Sequence, residues 1–174
     1  VDVLGSTIHI EFKGKSGKTR RIDVSNRRLA RHVKKCQELP GQELFQYIDE
    51  EGERHPIRSD DVNEYLRAVT SESFTAKDFR TWWGTVLMAG QLLKRSKSGE
   101  KKTSKKQILD SIRVVAIKLG NTRAVCRKYY IHPAVIESFE TGRLVRVFKL
   151  AADNRNEGRE ELEIAERAVL CLLD

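Results

Sequence analysis

Over residues 1–24 the apolar side chains recur at every second position, and from Ser25 onward most recur every three or four. That change of period constrains the fold most. A repeat of two lays one face of a strand against a core, and a repeat of 3.6 does the same for a helix. Ile8, Ile10 and Phe12 alternate with His9, Glu11 and Lys13; Gly14-Lys15-Ser16-Gly17-Lys18 supplies turn chemistry; Thr19 to Val24 returns as a second strand. The pattern predicts a β-hairpin over 1–24 with a glycine-flanked, lysine-bearing loop.

Ser25 or Asn26 is placed to cap a helix carrying Leu29, Ala30, Val33 and Cys36, which Leu39-Pro40-Gly41 stops. Leu44 to Ile48 reads as a short strand that ends in an acidic turn through Gly52. Ser59-Asp60-Asp61 forms a capping cluster before Val62, Tyr65, Leu66 and Val69, and Thr75 caps a longer helix bearing Phe79, Trp82, Trp83, Val86, Leu87, Leu92 and Leu93. The Lys- and Ser-rich run from Lys94 to Lys106 reads as a loop. Ile108, Ile112, Val115, Ala116 and Leu119 mark another helix, closed by Gly120 or Asn121 as a C-cap. A further helix opens at Pro133, and a final amphipathic one carries Leu162, Ile164, Ala165, Val169 and Leu172. The expected fold is mainly α with a small N-terminal antiparallel β-sheet, an α+β chain divided into a hairpin at 1–24, a mainly helical core at 25–152 and a C-terminal helix at 153–174.

Composition narrows the partner. Among 174 residues, 33 Lys and Arg face 25 Asp and Glu, for a net charge of +8. The excess gathers in residues 1–35, in the Lys94–Lys106 run and around Tyr129-Tyr130, where Arg123, Arg127 and Lys128 crowd; the last residues lean acidic. Separate basic elements suit a polyanion such as a nucleic-acid duplex, whose phosphates they neutralise with release of counterions. A solvated surface of scattered Lys and Arg is the plainer alternative. Cys36, Cys126 and Cys171 are odd in number and far apart, which argues against a disulfide framework and fits a reducing interior. No apolar run approaches the roughly 20 residues of a membrane span.

Common catalytic constellations are missing. The chain has no phosphate-cradling glycine loop, no His-x-x-x-His and no paired-cysteine metal spacing, and His9, His32, His55 and His132 stand apart. Asp60-Asp61 is better explained as a helix start than as a metal site. Nucleotide-driven and metal-dependent chemistry are therefore not expected.

Four short motifs remain: Phe12-Lys13-Gly14-Lys15-Ser16-Gly17-Lys18, Lys77-Asp78-Phe79-Arg80-Thr81-Trp82, Leu119-Gly120-Asn121-Thr122 and Arg127-Lys128-Tyr129-Tyr130-Ile131-His132-Pro133. In this order and at these separations they resemble the catalytic domain of type IB DNA topoisomerases, particularly the compact bacterial and poxvirus-like branch. The resemblance implies a DNA breaking–rejoining fold and a tyrosine that attacks a DNA phosphodiester. The products are a 3′-phosphotyrosyl link and a free 5′-hydroxyl; supercoils relax by strand rotation, and the reaction then reverses without ATP or a required metal.

The residue types suit that chemistry. A phenol with a pKa near 10 needs nearby cations to become a nucleophile at neutral pH. Charge spread over phosphate oxygens favours pre-positioned arginines, and a 5′-oxygen leaves more readily when an acid protonates it. By its motif, Tyr130 takes the nucleophile position, with its neighbour Tyr129 the competing assignment. Arg80 matches the scissile-phosphate arginine, and Lys15 the hairpin general acid, with Lys13 and Lys18 close enough to compete. Asn121 stands where relatives carry His or Asn, and a helix C-cap is its alternative role. Lys13, Lys18, Lys77, Arg123, Arg127 and Lys128 are the expected DNA-binding residues.

The resemblance also implies another catalytic arginine, on a helix upstream of the hairpin lysine. Arg20, Arg21, Arg27 and Arg28 lie on the wrong side of Lys15 to supply it. The expectation is thus a catalytic domain incomplete at its N-terminus and weakly active or inactive by itself. It would be a monomer in the cytoplasm, associated with the nucleoid, acting on double-stranded DNA with no cofactor, metal or membrane. Two rivals stand beside it. A tyrosine recombinase or integrase shares the tyrosyl chemistry but usually shows His-x-x-Arg where Lys77 stands here, and a non-catalytic DNA-binding module would keep only the basic surface.

Overall fold

The computed structural model describes residues 1–14, 17, 19–41, 43–97, 104–153 and 163–174. The chain is mainly helical with a small antiparallel sheet at its start, as the change of period requires, and it divides into two compact units, Val1–Tyr65 and Leu66–Asp174.

The first unit opens with β1 (Asp2–Leu4), β2 (Thr7–Lys13) and β3 (Thr19–Ser25) in the order β1-β2-β3, all antiparallel. Ile8 pairs with Val24, Ile10 with Ile22 and Phe12 with Arg20, so the hairpin has the expected register. Of its apolar residues Ile8 is buried, whereas Phe12 and Ile22 are exposed. The strand β1 is an addition the alternation did not reveal. Helix α1 (Arg27–Gln37) is capped by Asn26, whose Oδ1 accepts the Leu29 N–H at 2.9 Å, and Ala30 is its buried residue. Next come β4 (Gln46–Ile48) and an unforeseen partner, β5 (Arg54–Pro56). Asp49 ties the turn between them. Its Oδ1 accepts from the Glu51 and Glu53 amides and its Oδ2 lies 2.6 Å from His55 Nε2, and the His55 bond leads in holding the carboxyl below its usual pKa. Helix α2 (Ser59–Thr70) starts with Asp61 accepting the Arg58 N–H at 2.6 Å. The boundary between the units falls inside it.

The second unit is built on α3 (Ala76–Lys97), which packs against α4 (Ser104–Leu119), α6 (Pro133–Glu140), α7 (Arg143–Asp153) and α8 (Ile164–Leu173). Between α4 and α6 lies α5 (Arg123–Tyr129), packed on α4. Met88, Ala89 and Leu92 of α3 are fully buried with Val115 of α4, Cys126 of α5, Val135 of α6, Leu144 of α7 and Ala168 and Val169 of α8. Gly142, at φ 72°, separates α6 from α7. The C-terminal helix thus packs into this core, and its Glu163–Glu166 capping box fixes its start.

One expectation fails. Lys94–Lys97 continue α3, and Ser104–Lys106 already belong to α4, so the basic run is not one long loop. Lysine is a good helix former, and composition alone took its abundance for irregular structure. The intervening residues 98–103 lie outside the described residues.

Candidate active site

The site grows from the first turns of α3. Asp78 Oδ2 accepts from the Thr75 N–H at 2.9 Å and the Thr75 hydroxyl at 2.6 Å; that hydroxyl bond is the leading cause of an Asp78 pKa below its usual value. A charged carboxylate in the first turn also suits the positive end of the helix dipole. From this start Lys77, Arg80, Thr81, Gly84, Thr85 and Met88 share one face by helical spacing. Met88 is fully buried, so the face that carries Arg80 at one end is core at the other.

Arg80 meets the end of α4. Its Nη2 donates to the Leu119 carbonyl oxygen at 2.8 Å, and Asn121 Nδ2 donates to the same oxygen at 3.3 Å. Carbonyls in a helix's last turn lack intrahelical partners, which explains why this oxygen is available to both side chains. The α4 terminus closes with the Gly120 N–H on Ile117 O at 3.1 Å and the Asn121 N–H on Ala116 O at 2.9 Å. Gly120, at φ 67°, takes the left-handed position, so of the two C-cap candidates it is the glycine that adopts it. Asn121 is left to turn its amide toward the Leu119 carbonyl oxygen that Arg80 also holds.

The tyrosines end α5, whose N-cap Thr122 accepts the Val125 N–H at 3.3 Å. Tyr130 is half-buried against the core cluster, and the Arg80 guanidinium carbon lies 5.3 Å from its ring centroid. Tyr129 is exposed, with Lys77 Nζ at 5.9 Å and Lys128 Nζ at 5.1 Å from its ring centroid. Cations over aromatic faces are attracted by the ring quadrupole. Buried Cys126 lies one turn before Tyr130; burial raises its thiol pKa, against a smaller lowering by Arg80. The thiol therefore stays neutral and leaves the arginine's charge uncancelled.

Arg80, Asn121, Tyr130 and Tyr129 with Lys77 and Lys128 thus gather where α3, the α4 terminus and α5 meet. Arg123 and Arg127 are exposed on the same short α5. Lys13 is exposed at the end of β2 in the first unit, and Lys15 and Lys18 lie outside the described residues. Among the described residues no three His, Cys, Asp or Glu side chains cluster as metal ligands, and no helix is long and apolar enough to cross a membrane.

Sequence reasoning missed three contributors. Thr81 Oγ1 shares its proton between the Lys77 carbonyl oxygen at 3.0 Å and the Tyr129 carbonyl oxygen at 3.3 Å, and Thr85 Oγ1 accepts the His132 N–H at 3.1 Å. Gly84 has no room for a side chain, since a Cβ there would stand 2.5 Å from the Tyr130 carbonyl oxygen. A glycine inside an apolar helix was the one available signal.

Comparison with known proteins agrees with the motifs. Residues 2–152 match the family described as the catalytic core of eukaryotic DNA topoisomerase I. The chain is 31% identical over 147 residues to a DNA topoisomerase 1B from Acanthamoeba polyphaga mimivirus, a match covering 80% of this chain and 44% of that protein. The chain therefore spans less than half the length of this relative. With a family match over most of its length, this chain belongs to the eukaryotic-type DNA topoisomerase I catalytic-core family.

Proposed function

We propose that this chain supplies the catalytic core of a type IB topoisomerase, cutting and resealing one strand of duplex DNA through Tyr130. The observation that carries the reading is the shared geometry of Arg80, which reaches the Leu119 carbonyl beside Asn121 and lies over the Tyr130 ring. The Tyr130 oxygen attacks the phosphorus, the P–O5′ bond breaks and a 3′-phosphotyrosyl ester forms. The phenol proton passes to solvent, and Lys15 gives a proton to the departing 5′-oxygen. Arg80 and Asn121 donate to the non-bridging oxygens, where charge accumulates. One phosphodiester is exchanged for another of similar energy, so the cycle needs no ATP; torsional strain in the DNA drives rotation. Lys13, Lys18, Lys77, Arg123, Arg127 and Lys128 bind neighbouring phosphates. The active enzyme is larger than this chain, works as a monomer in the cytoplasm and takes a further arginine from upstream.

The test is a covalent adduct on duplex DNA whose scissile 5′-oxygen is replaced by sulfur, a better leaving group that releases the reaction from its need for an acid. The enzyme extended upstream to include the further arginine, and its Tyr129→Phe variant, should form the adduct, and Tyr130→Phe should not. No adduct in any of them would favour a module that only binds DNA. An adduct persisting in Tyr130→Phe overturns the assignment. Relaxation of a plasmid without paired sites separates a topoisomerase from a recombinase.

A further inference from the structure

From the contacts of α3 we infer that Gly84, with Thr81 and Thr85, is a positioning device that sets the register of Tyr130 against Arg80. The inference rests on the proposed role of Tyr130. Residues 129–132 run across α3 and touch it at three successive points. The Thr81 hydroxyl lies between the Lys77 carbonyl oxygen at 3.0 Å and the Tyr129 carbonyl oxygen at 3.3 Å, sharing its one proton, and the Thr85 hydroxyl accepts the His132 amide at 3.1 Å. Between them the Tyr130 carbonyl comes so close that a Cβ on Gly84 would meet its oxygen at 2.5 Å, its carbon at 3.4 Å and Leu119 Cδ1 at 3.1 Å.

The leucine methyl can rotate away, but the carbonyl is backbone and cannot. Any side chain at 84 must therefore lift the tyrosine's own peptide from the helix by most of an ångström to regain ordinary contact. Arg80 sits one turn earlier on that helix, so the distance between arginine and phenol is measured along a single rigid element. Gly90 provides an internal control: it lies in the same helix, and a Cβ there meets nothing within 4 Å.

Gly84→Ala and Gly90→Ala should be compared on the sulfur-containing duplex in the enzyme extended upstream to include the further arginine. We expect Gly84→Ala to bind the duplex within twofold of the parent while its rate of adduct formation at saturating DNA falls about 100-fold, the scale of a 1 Å misplacement. Gly90→Ala should leave both unchanged. A Gly84→Ala chain that forms adduct within threefold of the parent overturns the proposal, as does one whose loss lies wholly in DNA affinity.

If Gly84→Ala does not fold, Thr85→Val decides. This near-isosteric change should speed hydrogen exchange at the His132 amide, spare the amides of α3, and slow adduct formation at unchanged affinity. Unchanged exchange at His132, or an unchanged rate, overturns the proposal. Hydrogen exchange needs no activity, so a seat that exists beside a tyrosine that does not react is told apart from a seat that does not exist.

Discussion

At the scale of single residues, what matters is how each charge is held before DNA arrives. Arg80 has one nitrogen committed to the Leu119 carbonyl, which orients the rest of the planar fork. A lysine at 80 keeps the charge but cannot hold a backbone oxygen and two phosphate oxygens in one plane. Arg80→Lys is therefore expected to slow adduct formation by about two to three orders of magnitude, as for loss of one pre-positioned donor, with duplex affinity nearly kept; single-turnover kinetics at saturating DNA checks this. Lys15 is expected to behave differently. Lys15→Ala should cripple cleavage at an oxygen leaving group and recover at a sulfur one, because only the former needs a proton. Equal losses on both substrates would reassign Lys15 to binding. Arg80, Asn121 and Tyr130 were legible because their motifs carry recognisable neighbours. Thr81, Gly84 and Thr85 were not, since their meaning lies in contacts to residues 46 to 48 positions away, which no local pattern records.

At the scale of elements, legibility followed the number of visible repeats more than length. Three-residue β4 was foreseen, and eleven-residue α7 was not named apart from the helix that opens at Pro133. The period-two hairpin and the long α3 and α4 show enough repeats to declare themselves, whereas α5 offers only seven residues, three of them Arg or Lys, and shows no period. The strands β1 and β5, three residues each, were equally silent. The boundary of α3 was misjudged because Lys94–Lys97 looks like a loop by composition and is helix by propensity. What fixes α3 is its far end, where Met88 and Leu92 are fully enclosed by α4, α6, α7 and α8. Met88→Ala is expected to destabilise the second unit by about 2–5 kcal/mol, the range for truncating a buried large aliphatic side chain. Denaturant unfolding followed by tryptophan fluorescence would measure it, since Trp82 and Trp83 lie on the same helix.

For the molecule as a whole, the +8 charge takes on spatial meaning. Lys77 and Lys128 lie over the Tyr129 ring and Arg123 and Arg127 are exposed on the same α5, whereas Glu163 and Glu166 are engaged in starting α8. Duplex affinity should fall linearly on a log–log plot against salt, and replacing Arg123, Arg127 and Lys128 together with Gln should flatten the slope by about 0.9 for each phosphate no longer neutralised. An unchanged slope would show that these cations face solvent alone. The helix that carries Arg80 and seats Tyr130 has a consequence for durability. An active centre borne on surface loops can melt or fray while the body of a protein stays folded. Here the arginine and the tyrosine's backbone are both fastened to the innermost helix of the second unit, so neither can drift far until Met88 and Leu92 lose their surroundings. Loss of catalytic geometry on heating and loss of the core should thus be one cooperative event, and changes that harden the core will extend the working range of the site without touching it.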